Sequence, residues 1–222
     1  TRPIAAGFMV AALILFFLIL GSRAGSYEFC KFGETSVRGL DTLLFVLAII
    51  GFGSKAGIMP LHIWLPEAHP AAPSYVSALM SGVMIKTGIY GLLRTITFLG
   101  VPHYYWGWVL IALACVSGVG GVILAIAQHD IKRLLAYHSV ENIGIILIAV
   151  GLGCVGISSR SSMLTVLGFS AGLLHVVNHA IFKGLLFLSA GAVITRTGTR
   201  NMDEMGGLIR TMPFTGTFFL VG

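Results

Sequence analysis

Three lysines, Lys55, Lys86 and Lys183, lie inside long apolar runs of the chain. A charged side chain at mid-bilayer costs roughly 2.5–3.5 kcal/mol on insertion scales, so an intramembrane lysine marks function by default. A desolvated lysine also trades its proton far more readily than a solvated one. Lys55 and Lys86 fall on consecutive runs, which are expected to be neighbours, where charge on one would disfavour charge on the other. The ordinary alternative is snorkelling to the interface. Lys86 is about ten residues from either end of its run, roughly 15 Å at helical rise, which makes snorkelling difficult.

His175, His179 and Lys183 recur at i, i+4 and i+8. At helical spacing they drift by only about 80° and share one face. A stripe of titratable groups along a buried helix reads as a proton relay. A zinc protease would need His-Glu-x-x-His, and the sequence has His175-Val176-Val177-Asn178-His179, without the general-base carboxylate. A haem would need an axial histidine from another run, and His62 and His138 sit nearer run ends. Glu141 is the one carboxylate inside a run, about 12 Å beyond Lys132 and Arg133. It either serves the relay, by pairing a buried lysine, or is a counter-charge with no transport role. Glu67 and His69 border a proline turn and are expected at the interface, as a proton inlet or as a solvated connector. Asp130 precedes an apolar run and suits a helix start.

These residues need membrane helices to hold them. A span takes ~20 mostly apolar residues, and about six such runs can be drawn. They lie near Pro3–Leu20, Thr42–Leu65, Val76–Leu99, Trp106–Ala127, Leu134–Val155 and Met163–Ile194, and a further run opens at Pro213. The second is interrupted, since Gly51, Gly53, Gly57 and Pro60 cluster around Lys55. Glycine loosens a helix and proline removes one of its hydrogen bonds, and broken helices at membrane depth line cavities. The expected fold is an all-α polytopic transmembrane bundle with a broken helix around Lys55–Pro60. Residues 1–222 form one membrane domain, expected to be an internal piece of a larger subunit. His69-Pro70-Ala71-Ala72-Pro73 is expected as a turn that helix does not cross easily. If every run spans, one side carries Arg2, Lys132, Arg133, Arg196, Arg200 and Arg210, and the other Arg23, Lys31, Arg38, Arg94 and Arg160. The positive-inside rule favours the first side as cytoplasmic by a small margin.

Composition excludes several classes. The chain is 56% hydrophobic and 10% charged with a mean hydropathy of +0.94, against about 25% charged in a soluble domain. Its +6 net charge is scattered at the flanks of apolar runs, which argues for the bilayer and against nucleic acid. Cys30, Cys115 and Cys154 form no CxxC motif, so no iron–sulfur cluster is expected in this chain, nor any other cofactor. Gly118-Val119-Gly120-Gly121 lies in an apolar run and reads as close helix packing, not as a phosphate loop.

Several stretches together resemble the antiporter-like subunits of respiratory complex I and of membrane-bound hydrogenases. They are Gly53-Ser54-Lys55-Ala56-Gly57-Ile58-Met59-Pro60-Leu61-His62-Ile63-Trp64-Leu65-Pro66-Glu67-Ala68-His69, Val76-Ser77-Ala78-Leu79-Met80, and Lys86-Thr87-Gly88-Ile89-Tyr90-Gly91-Leu92-Leu93-Arg94. They continue with His129-Asp130-Ile131-Lys132-Arg133-Leu134-Leu135-Ala136-Tyr137-His138-Ser139 and His179-Ala180-Ile181-Phe182-Lys183-Gly184-Leu185-Leu186-Phe187. His69-Pro70-Ala71-Ala72-Pro73 and Ser139-Val140-Glu141-Asn142-Ile143-Gly144 look most like the hydrogenase-4 and formate hydrogenlyase branch.

The resemblance implies that Lys55 is the lysine of the family's broken helix, paired with a glutamate from an earlier helix. It implies that Lys86 is the central lysine, and that His175, His179 and Lys183 form the relay helix towards a second half-channel. The glutamate partner and the terminal relay residue fall outside these residues, and Glu141 replaces a residue that is neutral in complex I relatives. The implied function is proton translocation within a redox-driven complex. The implied partners are other membrane subunits and a peripheral arm with iron–sulfur or nickel–iron subunits. The implied place is the inner (plasma) membrane of a prokaryote. A subunit of a multi-subunit cation/proton antiporter would share these motifs, and a structural anchor with a vestigial relay would have lost the polar residues.

Overall fold

A computed structural model describes residues 2–33 and 39–222, and side chains from residue 7 onward within the first of these stretches. Arg38 and the Arg2 side chain, both assigned to the charged flanks, lie outside the described residues. The described chain is helical throughout apart from its connectors, the one β-like contact being an isolated antiparallel bridge between Asp130 and Asn201. In order it forms α1 (Arg2–Ala24), α2 (Phe29–Phe32), α3 (Asp41–Ala48), α4 (Ser54–Ala56), α5 (Leu65–Ala71), α6 (Ser74–Leu79), α7 (Ile85–Leu99), α8 (Tyr104–Ile126), α9 (Ile131–Ser158), α10 (Ser162–Thr197), α11 (Leu208–Thr211) and α12 (Pro213–Val221). Five stretches among the described residues are long and apolar enough to cross a membrane: Gly7–Ala24, Ser74–Leu99, Tyr104–Ile126, Ile131–Ser158 and Ser162–Thr197. The protein is an all-α polytopic helix bundle.

The second apolar run is broken, as the glycines and Pro60 predict. α3 widens into a π-helical turn at Ile49–Gly53, and α4 stops at Gly57, whose φ of 87° only glycine adopts readily. A non-helical stretch containing the cis Met59–Pro60 bond follows before α5. The break is seated on its neighbours: the Met59 N–H donates to Ser117 Oγ of α8 (3.0 Å), and Trp64 Nε1 donates to the Ser54 carbonyl (2.8 Å). These pieces together run from one end of the bundle to the other. At one end Thr42 Oγ1 lies 2.6 Å from the Tyr105 hydroxyl, and Asp41 meets His103. At the opposite end the Ala72 carbonyl accepts from Lys132, and the Pro70 carbonyl accepts from Arg200. The charge sides expected for Lys132, Arg133 and Arg200 therefore coincide. The proline turn falls later than expected. Helix continues through Pro70 to Ala71, and the chain turns at Ala72 and Pro73.

α8, α9 and α10 pack side by side, α6 and the turn after it lie against α10, and α5 lies against α9. Small residues allow the close approach. A Cβ at Gly144 would stand 2.6 Å from the Ala114 carbonyl oxygen, and one at Gly121 would stand 2.8 Å from the Glu141 nitrogen. Gly121 is thus a packing glycine, as the run Gly118–Gly121 predicts. Another π-helical turn, Met80–Met84, joins α6 to α7 within one continuous span. Nothing in the sequence pattern announced it.

Candidate functional site

The π turn at Met80–Met84 sets the position of Lys86. In an α-helical ladder the Ile85 N–H would bond to the Ser81 carbonyl; here it bonds to Met80 instead. The Ser81 carbonyl is left for another donor, and Lys86 Nζ supplies one. A buried carbonyl without a partner would carry a desolvation cost, so this bond stabilises the turn as well as the lysine. Lys86 is 9% exposed, and its stem borders a groove between α7 and α10 that Tyr90, Val176 and Val177 also line.

From Ser81 a hydrogen-bonded series crosses to α9 and α10. Ser81 Oγ lies 2.9 Å from Ser139 Oγ, Ser139 Oγ donates to the Leu135 carbonyl (3.0 Å), and Lys183 Nζ donates to the same carbonyl (3.1 Å). Ser81 and Ser139 are fully buried, and Lys183 is 1% exposed. The two lysines are thus anchored at the ends of one short polar bridge. The hydrogen bonds thus link Lys86 to Lys183 through Ser81 and Ser139. α4, which carries Lys55, packs on α7 as expected for consecutive runs, with Ala56 against Gly88. Lys55 is half-buried, and among the described residues no hydrogen bond or ion pair reaches it.

The α10 stripe holds in space. His175 and His179 stack nearly parallel with centroids 6.3 Å apart, and His179 is fully buried with neither ring nitrogen hydrogen-bonded among the described residues. His175 Nε2 is 3.0 Å from Asn142 Oδ1, and the Asn142 amide donates to the His138 carbonyl (2.7 Å). Glu141 pairs with His138 Nδ1 at 2.5 Å, one helical turn back on α9. Its direct partner is therefore a histidine and not a buried lysine. His138, which looked like a run-end residue, belongs to the site.

His69 is not part of a solvated connector. It is fully buried, with neither ring nitrogen hydrogen-bonded, and it stacks on Phe187 of α10 at 4.5 Å. Both Lys183 and Lys132 act on it by charge. α5 tucks its apolar face under α9, which carries His69 inward with Leu65 and Pro66. Lys132 is only 5% exposed and donates to the Ala72 carbonyl at 2.7 Å. Glu67 remains near the surface and pairs with Arg133 at 3.3 Å. Asp130 caps α9, accepting from the Lys132 and Arg133 backbone (2.8 and 3.1 Å), and lies 3.5 Å from Arg200. Basic groups thus run from Lys86 through Lys183 and His69 to Lys132 at one end of the bundle, with His175 and His179 alongside Lys86. Lys132, His138, Ser81 and Ser139 were missed. The first two looked like boundary residues, and hydroxyls in apolar runs give no signal of their own. Such a series of groups is able to hold and hand on protons.

The family model of NADH:quinone oxidoreductase/Mrp antiporter transmembrane proteins matches residues 1–222. Hydrogenase-4 component B of Escherichia coli (strain K12) is 50% identical over 215 residues, which cover 95% of this chain and 32% of that protein. Formate hydrogenlyase subunit 3 of the same strain is 43% identical over 201 residues, covering 86% of this chain and 33% of the relative. Among solved structures, the membrane-bound sulfane sulfur reductase, an archaeal respiratory membrane complex, has a chain with a TM-score of 0.82 at 32% identity over 96% of this chain and 36% of that one. The chain spans about a third of the length of the curated relatives it matches.

Proposed function

The chain belongs to the NADH:quinone oxidoreductase/Mrp antiporter transmembrane family, and from that premise we propose that it moves protons as part of a subunit of a redox-driven membrane complex of the hydrogenase-4 and formate hydrogenlyase kind. The observation that carries this reading is the pair of buried lysines, Lys86 and Lys183, bridged by hydrogen bonds and with no carboxylate bonded to either among the described residues. An unpaired ammonium in a low-dielectric interior is costly. Two such sites of similar surroundings let a proton pass between them with little change in free energy. A purely structural bundle would gain stability by replacing both with apolar side chains.

In this reading Lys86 and Lys183 hold the transported proton, His175 and His179 respond to the charge on Lys86, and His69 with Lys132 leads to one end of the bundle. Glu141, through His138, biases charge towards Lys183. Lys55, at the weak point of the broken helix, receives the proton from a carboxylate supplied elsewhere. The chain carries no redox centre. Electrons are handled by a peripheral arm with iron–sulfur or nickel–iron subunits, and other membrane subunits complete the complex in a prokaryotic plasma membrane. The similarity to hydrogenase-4 component B and formate hydrogenlyase subunit 3 supports this choice within the family. Purification of the full-length protein from its native membrane tests it. Co-purifying iron–sulfur or nickel subunits are expected. Recovery with antiporter subunits alone would favour a cation/proton antiporter instead.

A further inference from the structure

We infer that the hydroxyls of Ser81 and Ser139 form the proton-passing link between Lys86 and Lys183. The inference rests on the relay reading and adds two residues that do not titrate. The Ser139 hydroxyl donates to the Leu135 carbonyl, so in the Ser81–Ser139 contact it is Ser139 Oγ that accepts and Ser81 that donates. The bridge therefore has a direction, from the Lys86 side towards the Lys183 side. Each lysine is held on a carbonyl next to a serine hydroxyl. Lys86 Nζ sits on the carbonyl of Ser81 itself, and Lys183 Nζ shares the Leu135 carbonyl with Ser139 Oγ. The proposed step requires each lysine nitrogen to swing from its carbonyl to the neighbouring hydroxyl.

The step balances as follows. Lys86, as the ammonium, gives one proton to Ser81 Oγ, and Ser81 passes its own hydroxyl proton to Ser139 Oγ. Ser139 in turn gives its hydroxyl proton to the neutral amine of Lys183. Lys86 ends neutral and Lys183 ends charged. Both serines keep one proton each, with their O–H bonds reoriented. Reorientation of the two hydroxyls resets the bridge for the next proton.

Geometry separates this role from plain helix packing. Ser139 already satisfies its hydroxyl on its own helix, as serines in membrane helices do. Ser81 does not; its hydroxyl reaches across to α9. The π turn is what frees the Ser81 carbonyl for Lys86 while the hydroxyl of the same residue faces Ser139. An α-helical register would supply only one of these contacts.

The test is proton pumping by the full-length complex in proteoliposomes. The variants are Ser81→Ala, Ser139→Ala, the double variant, and Lys86→Met as a control. Each single alanine variant should slow pumping at least tenfold with an unchanged melting midpoint. The double variant should be no slower than either single, because links in series fail once. Wild-type pumping in mixtures of light and heavy water should fall along a curve, the mark of several protons moving together, and Ser139→Ala should lose that curvature. Ser139→Cys, which keeps a proton-bearing group of similar size, should recover part of the rate, and the unchanged melting midpoints separate loss of the link from loss of packing. Pumping within twofold of wild type in both alanine variants, with Lys86→Met inactive, would overturn the link and leave the relay standing. Wild-type pumping in Lys86→Met would remove the relay and this inference with it.

Discussion

A lysine in an apolar run is legible at once, because its cost must be met by something. Lys86, Lys183 and the His175–His179 stripe were visible for that reason, and the fold buries Lys86, His179 and Lys183, with His175 partly buried. Ser81 and Ser139 were not visible, since hydroxyls are common and cheap in membrane helices. His69 was misread because two prolines flank it and make its segment look like a solvated connector. Its environment gives a sharp test. His69→Phe should keep the stack on Phe187, and with it the melting midpoint, yet slow transport severalfold by removing both ring nitrogens. An equal rate in a pumping assay would make His69 a packing residue. Glu141→Gln leaves His138 without its carboxylate. It should lower the transport rate more than the stability, because the Glu141 side chain is 24% exposed and the pair is partly screened. Parallel melting curves with a reduced pumping rate are the expected outcome.

The elements were read unevenly, for physical reasons. The interruption around Lys55 was legible from glycines and Pro60, which act locally. The π turn at Met80–Met84 was not, because its lone Gly82 is an ordinary residue of membrane helices, with no proline or further glycine beside it, and its compensation is a lysine side chain from the next turn. The connector after α10 hid a structural task. Arg200 joins the end of α5 to the start of α9 through the Pro70 carbonyl (2.5 Å) and Asp130 (3.5 Å), and its backbone carbonyl accepts from Ile131. Arg200→Ala should loosen the seat of α5 and speed hydrogen exchange at Ala68 and Ala72 while leaving α8 protected. Within the same connector, hydrogen bonds from Asn201 and Thr199 hold the Glu204 carboxyl below its usual 4.5. The sign follows: this contribution is fully present above 4.5 and is lost as pH falls through the lowered value. Protection of the Asn201 and Asp203 amides, taken as the exchange rate relative to the intrinsic rate at each pH, should therefore hold down to about pH 4.5 and fall below it. Gly144→Leu should separate α8 from α9, since even a Cβ there meets the Ala114 carbonyl at 2.6 Å. Overpacking of this kind costs about 1–3 kcal/mol, and a lowered melting midpoint would register it.

At the scale of the whole molecule, the bundle joins two ends of a membrane by a broken span and intact ones, and threads a basic, hydrogen-bonded line between α7, α9 and α10. Composition made the class plain, and the length of the apolar runs located five of the six expected spans, the broken run around Lys55 being the sixth. The hydrogen-bonded link from Lys86 to Lys183 needed the packing of α6 and the π turn against α10, which is a long-range property of the fold. The central claim is that a proton is held on Lys86 during transport. Its most direct test is pumping by the full-length complex carrying Lys86→Met, read with a pH-sensitive dye inside proteoliposomes while electron transfer is followed in parallel. Abolished acidification in an assembled complex that still accepts electrons is the predicted result. Acidification at the wild-type rate would contradict it.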